Sequence, residues 1–500
     1  MLNYILLSIE KFTNLTVLIV PFASMDNASK PHAVIVSSPG VGHLVCNLEL
    51  GNRLVADHNF HITFFVVLES PGASPGESQL IQSATTQKLL HVVVLPPVDV
   101  WGQVGPKAPI FTRLTAVMRE IGPTLRSGIS TLKPSPTAII VDVFGTPALD
   151  VADEFHMLKY VFVRSAWPLA LMLYVPILDK EIEEYIDQNE PLRIPGCMAV
   201  RPEDVVDPLL DRTKQEYNMF VQVGSEIRKS DGVLVNIWED LDATTLKAMR
   251  EEEAFGSVPV YAVGPLIKQV EPSAASKKSD LLDWLDQQPI ESVLYISFGS
   301  LGVLSAQQIT ELAWGLEQSQ QRFIWVLRPP CKKVSSEDGR GNDALNYLPH
   351  GFWHRMGNLG IVVTQWAPQS EILSHRSTGG FLSHCGWNSL LESILSGVPM
   401  ITWPLCAEQK MNATKLAEEV GVAVRPKIAP TTGVVGRVEI EMMVRKVMED
   451  PEGKAMRVRV KELKISAKKA LVEGGGSFNA MSYLAKQCLM KSQSQIVKGP

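Results

Sequence analysis

The sequence is poor in cysteine, with six in 500 residues: Cys46, Cys197, Cys331, Cys385, Cys406 and Cys488. None forms a C-x-x-C pair, which excludes a disulfide framework, a zinc ribbon and a thioredoxin motif and favours free thiols in a reducing compartment. A basic excess is also missing. Lys and Arg number 47 against 53 Asp and Glu, a net charge of −6, so the chain lacks the electrostatic footprint of a nucleic-acid binder. No apolar run reaches the roughly 20 residues that span a bilayer. Residues 4–7 and 17–20 are apolar, but Glu10, Lys11 and Asn14 interrupt them. A basic start and a small-residue cleavage site are both absent there, so this is not a signal peptide. Residues 1–30 read as an extension outside the fold, with Met25 as an alternative start, and the last ten residues are polar. The expectation is a cytoplasmic monomer with no stable membrane insertion and no nucleic-acid partner.

What is present is a long, ordinary globular composition, 45% hydrophobic and 20% charged, enough for two to four domains at about 150 residues each. Residues 33–37 form an apolar β-branched run closed by Pro39, Gly40 and Gly42. A helical pattern then leads to a second such run at 62–67. Strand, glycine turn, helix, strand is the unit of a parallel sheet, and runs apolar at every position suit strands covered on both faces. Further strands are expected at 90–95, 138–141, 160–163, 232–236 and 258–262. A second block follows at 293–297, 323–327, 360–363, 379–382 and 399–402. Between the blocks, residues 269–278 are polar and rich in Pro, Ser and Ala, the composition of a linker. Residues 328–347 form a charged surface loop, and the chain from Val438 onward has helical spacing. The predicted fold class is α/β, two Rossmann-like halves with a ligand cleft between them at the carboxyl ends of the strands.

The segment 366–409 carries the most chemistry. Strand 380–382 runs into Ser383-His384-Cys385-Gly386-Trp387-Asn388-Ser389 and then a helix opened by Asn388 and Ser389. The free N–H groups and positive dipole end of such a helix suit a diphosphate. Gly386 allows close backbone approach and His384 adds a donor. Glu392 can take ribose hydroxyls, Trp366 offers a face for a flat base, and Glu408-Gln409 suit sugar hydroxyls. On the other half, His43 sits in the first glycine turn and Asp142 ends the strand 139–141, both on the carboxyl rim of one sheet. A neutral imidazole oriented by a carboxylate can accept a proton from a hydroxyl. On spacing alone, a loop histidine is more often structural than catalytic.

Trp366-Ala367-Pro368-Gln369, His384-Cys385-Gly386-Trp387-Asn388-Ser389, Glu392 and Glu408-Gln409 together closely resemble the signature of plant family 1 UDP-sugar glycosyltransferases. The resemblance runs from about Pro31 to Lys486. It implies the GT-B fold, with a domain 31–265 for the acceptor, a linker 266–280, a domain 281–470 for the UDP-sugar, and a helix and tail 471–500 returning to the first domain. It also implies that Trp366 stacks on uracil, that Glu392 binds ribose, and that His384, Asn388 and Ser389 hold the phosphates. Trp387, Glu408 and Gln409 would read the sugar, with the terminal Gln indicating UDP-glucose. Ser300, Ala367 and Gln369 fall in the same donor site. His43 matches the family's base and Asp142 its partner, for a single inverting displacement with UDP-glucose as co-substrate, no metal and no other cofactor. Residues 95–99, 201–204 and 408–413 resemble the branch acting on hydroquinone, monolignols and anthocyanidins. Another small acceptor (a terpenoid, a hormone or a xenobiotic) and another UDP-sugar remain open.

Three departures from the family pattern carry expectations. Cys46 replaces a proline, removing a helix-starting residue one turn from His43 and loosening it. Cys406 replaces an aromatic and opens space by the acceptor. Leu301-Gly302-Val303 replaces small hydroxylic residues and removes one phosphate contact. Asp240-Leu241-Asp242 matches the D-x-D of metal-dependent transferases, but at a helix start it reads as acids favouring the dipole. The Asn412 sequon abuts the donor segment and is expected to stay unmodified. His32, before the first strand, and His58 and His61, flanking the second, read as solvated or as strand-end packing. A dinucleotide oxidoreductase fails because Val45 stands where the third glycine of G-x-G-x-x-G belongs. A non-enzymatic nucleotide-sugar binder would leave His43 and Asp142 without a purpose.

Overall fold

The computed structural model describes residues 30–70, 72–87, 89–105, 107–267, 280–300, 302–330 and 343–497. The extension up to residue 29, residues 268–279 of the linker and residues 331–342 of the charged insert lie outside the described residues.

The apolar runs form two parallel sheets. The first holds β1 (His32–Ser37), β2 (His61–Val66), β3 (His91–Val94), β4 (Ala138–Asp142), β5 (Leu158–Val163), β6 (Gly232–Val235) and β7 (Val260–Ala262), in the order β3-β2-β1-β4-β5-β6-β7. The second holds β8 (Val293–Ser297), β9 (Arg322–Val326), β10 (Gly360–Val363), β11 (Thr378–Ser383), β12 (Met400–Thr402) and β13 (Ala423–Val424), in the order β10-β9-β8-β11-β12-β13. In both, the order reverses beside the first strand of the half, which is where a doubly wound sheet opens its ligand crevice. Together they make the α/β, GT-B architecture.

Both faces of the central strands are covered, which explains their unbroken apolar runs, while the edge strands β3 and β10 are only half-buried. Every residue of β1 and β4 is buried. Above and below them lie two separate cores, one around Val34, Val141 and Trp167, the other around Ile35, Ile140 and Phe162. The second core includes Met481, Leu484 and Cys488 of the last helix, Gly476–Val497, so that helix packs beneath the first sheet. β1 and β4 run in register from Ala33 beside Ala138 to Val36 beside Val141, which brings Ser38 and Asp142 to the same rim.

Polar contacts join the halves. Arg425 grips Asp204 through two nitrogens at 2.8 and 3.0 Å. Lys415 Nζ lies 2.8 Å from Asp242 Oδ1, with both side chains almost wholly buried, and 4.8 Å from the Trp167 ring centroid. Asp242 is therefore engaged in an interdomain ion pair. The helix Glu239–Glu251 does start at the D-x-D segment, as its acids suggested. His32 is buried at the start of β1, its ring held between Pro134 O at 2.6 Å and Thr63 Oγ1 at 3.0 Å. Among the described residues no helix is long and apolar enough to cross a membrane.

Candidate active site

The first helix, Val41–His58, begins directly after Gly40, whose φ of 106° only glycine adopts readily. This tight exit from β1 puts His43 in the first helical turn. Asp142, the last residue of β4, faces it with Oδ2 at 3.2 Å from His43 Nδ1. Both side chains are buried. The Asp142 carboxylate also accepts Ser38 N–H at 2.9 Å, Ser38 Oγ at 2.5 Å, Phe144 N–H at 3.2 Å and Asn47 Nδ2 at 3.4 Å. Burial alone would raise its pKa, but His43 and the Ser38 donors outweigh it and hold the carboxyl below its ordinary range. His43 is pushed down by burial first and by the Arg164 guanidinium second, against the pull of Asp142. At neutral pH it is a neutral imidazole with Nδ1–H on Asp142 and a bare Nε2, as a general base requires.

Cys46 does not loosen this arrangement in the way expected. The helix starts at Val41, well ahead of Cys46, so no helix-starting proline is missing from this position. Its buried thiol donates back to the carbonyls of Gly42 and His43 at 3.4 and 3.3 Å. Burial raises the thiol pKa to about 11, so the thiol stays protonated.

The donor-side helix runs Trp387–Ser396 and its N-cap is Gly386, so Asn388 and Ser389 lie inside the first turn instead of capping it. Gly386 takes that place because a Cβ there would sit 2.5 Å from His384 Nε2; Gly299 is held to glycine by the same ring, also at 2.5 Å. The first helical bond is Leu390 N–H to Gly386 O at 3.1 Å. The N–H groups of Trp387, Asn388 and Ser389 thus remain for an anion. His384 follows β11 and lies half-buried beside them, its pKa lowered to about 4 chiefly by desolvation, hence neutral.

Around this helix the expected donor residues gather, though not all point to a ligand. Gln369 Nε2 reaches Ser389 Oγ at 3.0 Å and Glu392 Oε2 at 2.5 Å, and Ser370 Oγ donates to Glu392 Oε1 at 2.5 Å. These bonds fix the half-buried Glu392 carboxyl, whose pKa desolvation raises. Ala367 is buried, whereas Trp366 beside it is 73% exposed, a large aromatic face left in solvent. Trp387 is buried and its indole N–H is taken by Asn236 O at 3.0 Å, so its side chain has no donor left for the sugar it was expected to read. Asn388 Nδ2 crosses the cleft to Gly42 O at 2.9 Å, one residue from His43. Gln409 Oε1 holds the Leu405 and Cys406 N–H groups at 2.8 and 3.2 Å, while Cys406 itself is exposed. Glu408 is half-buried at the N-cap of the helix Gln409–Thr414, and its charge is felt by both His43 and His384. Ser300 is exposed, with its carbonyl accepting from Arg328. Asn412 is buried and donates to Cys385 O at 3.1 Å, leaving no room for a glycan in the folded chain.

Sequence reasoning missed Ser38, Asn47 and Arg164. Asn47 is one helical turn beyond His43, on the same face, and that spacing could have revealed it. Arg164 directly follows β5, the neighbour of the strand ending in Asp142, and its Nη2 is 3.3 Å from His43 Nε2.

A family model described as "UDP-glucoronosyl and UDP-glucosyl transferase" matches residues 221–463. The chain is 53% identical to anthocyanidin 3-O-glucosyltransferase 5 of Manihot esculenta over 93% of its length and 96% of that protein. It is 43% identical to hydroquinone glucosyltransferase of Rauvolfia serpentina, over 91% and 97%. Among solved structures, that of TcCGT1 in complex with UDP superposes with a TM-score of 0.85 at 46% identity, over 93% of this chain and all of that one. A buried His–Asp pair facing an open helix N-terminus is thus set in the frame of a known enzyme family: the chain belongs to the UDP-glycosyltransferases, in the plant branch that holds the hydroquinone and anthocyanidin glucosyltransferases.

Proposed function

We propose that the protein transfers glucose from UDP-glucose to the hydroxyl of a small phenolic acceptor, with inversion and without a metal. The observation that carries this reading is the His43–Asp142 pair: a neutral imidazole whose Nδ1–H is spent on a buried carboxylate, with Nε2 turned away from it on the rim that the donor helix approaches. His43 Nε2 takes the proton of the acceptor hydroxyl as its oxygen attacks the anomeric carbon. The bond from that carbon to the diphosphate oxygen breaks and UDP leaves with the electron pair. Asp142 stabilises the imidazolium until the proton is lost to solvent.

On the donor side, residues 281–470 bind the nucleotide sugar. The exposed Trp366 face receives uracil, and Glu392, fixed by Gln369 and Ser370, takes the ribose hydroxyls. His384, Ser300 and the main chain of residues 387–389 hold the diphosphate, whose charge the helix dipole favours. Glu408 and Gln409 face the sugar. Residues 31–265 supply the acceptor side. The names of the two curated relatives support a phenolic acceptor and glucose as the sugar. The experiment is product formation from UDP-glucose and a panel of phenols in EDTA. A glucoside supports the reading; turnover that requires a divalent metal, or none with any acceptor, overturns it.

A further inference from the structure

Arg164 stands on the acceptor side of the pair and has no part in the reading above. It is half-buried, and its Nη2 lies 3.3 Å from His43 Nε2. A guanidinium only donates, so the contact exists with Nε2 bare. Among the described residues no carboxylate is paired with Arg164, and the bond to His43 is the one hydrogen bond its five donors make. Asp142 is beyond the imidazole, fully occupied by its own donors. An arginine held in a cleft without a counter-ion, with donors unspent, against the lone pair that meets the acceptor, is matched to an oxygen that arrives negatively charged.

We propose that Arg164 is a binding site for the reacting oxygen as an anion, so that the enzyme prefers acceptors ionised at that oxygen: acidic phenols and carboxylates. The inference rests on the acceptor docking at His43 Nε2. On docking, the anionic oxygen replaces the Arg164–His43 contact and takes two guanidinium donors. It then attacks the anomeric carbon, the bond to the diphosphate oxygen breaks, and the electron pair leaves with UDP. No proton has to be removed from such an acceptor, and His43 acts as base for neutral acceptors alone. The same charge disfavours an imidazolium beside it, so the arginine that assists the anion weakens the base.

The test compares kcat/KM for 4-nitrophenol, ionised under the assay conditions, with that for 4-methylphenol, which is not. Replacing a charged hydrogen bond by a neutral one in Arg164→Gln lowers the ratio of the two about tenfold or more, and Arg164→Lys recovers the greater part. UDP affinity stays at the wild-type value. A ratio within twofold of wild type in Arg164→Gln overturns the proposal. So does a parallel loss for both phenols with weakened UDP binding, which would place Arg164 on the diphosphate instead. Should the variants not fold, wild-type inhibition decides: benzoate inhibits at least tenfold more tightly than benzamide, and equal inhibition contradicts the assignment. His43→Ala separates this inference from the reading beneath it. That variant loses 4-methylphenol turnover and keeps a share of 4-nitrophenol turnover. Full retention of 4-methylphenol activity would remove His43 as base, whatever Arg164 does.

Discussion

Asp142→Asn probes the pair with the least change of shape. The carboxylate accepts from Ser38 N, Asn47 and His43 at Oδ2, and from Phe144 N and Ser38 Oγ at Oδ1. An amide NH2 on the Oδ2 side would face three donors. On the Oδ1 side it faces one fixed donor, Phe144 N–H, and a hydroxyl that can turn to accept. The second orientation therefore wins, and it leaves the Phe144 N–H unsatisfied at a cost of about 1–3 kcal/mol in stability. In that orientation His43 keeps its acceptor and its tautomer. What disappears is the negative charge opposite the imidazolium. Two unit charges about 4 Å apart at an effective dielectric of about 20 attract by about 4 kcal/mol, so the rate should fall about 10³-fold. The assay is kcat with saturating UDP-glucose and 4-methylphenol, beside calorimetric binding of UDP to show an intact donor site. A kcat within threefold of wild type, with UDP binding unchanged, would show that Asp142 only holds the loop and would refute the reasoning.

Other perturbations test other parts of the account. Trp366→Ala removes an exposed face, so unfolding free energy should move by less than about 0.5 kcal/mol while UDP binding weakens by the equivalent of about 1–3 kcal/mol of lost stacking; unchanged UDP affinity would take Trp366 out of the base site. Lys415→Met leaves the buried Asp242 carboxylate without its cation and should cost about 3–5 kcal/mol in denaturant unfolding, with Asp242→Asn added to it recovering part; a change below about 1 kcal/mol would show that water compensates the charge. His32, pushed down to about 4 by burial and by the neighbouring His61, stays neutral in the folded protein while the unfolded chain protonates near its ordinary value of 6.5. Its contribution is complete above that value and is lost as pH falls from there toward the folded value. Between about pH 7 and about pH 5 the wild type should lose about 2 kcal/mol more than His32→Asn, and parallel pH dependences would contradict this.

Much of this architecture could be read in advance because parallel strands buried on both faces must be apolar at every position. The runs at 33–37 and 138–141 therefore announced β1 and β4, and with them the rim that carries His43 and Asp142. β13 escaped notice because Ala423–Val424 is two residues long and has no run to show. The expected strand at 258–262 is trimmed to Val260–Ala262. Within the site, the motif located the donor helix, but its start fell on Gly386 because packing against the His384 ring excludes any Cβ. The fate of Trp387 was hidden for a similar reason: its partner, Asn236, is far away in the chain and meets it only when the halves dock. Ser38 and Arg164 lie outside the helix of His43, and only the register of β1, β4 and β5 converts them into neighbours of the His43–Asp142 pair, whereas Asn47 shares that helix and was legible from its spacing.

The most direct test of the central claim is the anomeric configuration and yield of the product formed from UDP-glucose and a phenol, in EDTA, by wild type and by His43→Ala. The account predicts a β-glucoside, inverted from the α-linked donor, formed by the wild type and reduced by about 10²–10⁴-fold in His43→Ala, with UDP binding retained. An α-glucoside, or a His43→Ala enzyme that works at the wild-type rate on 4-methylphenol, would contradict it.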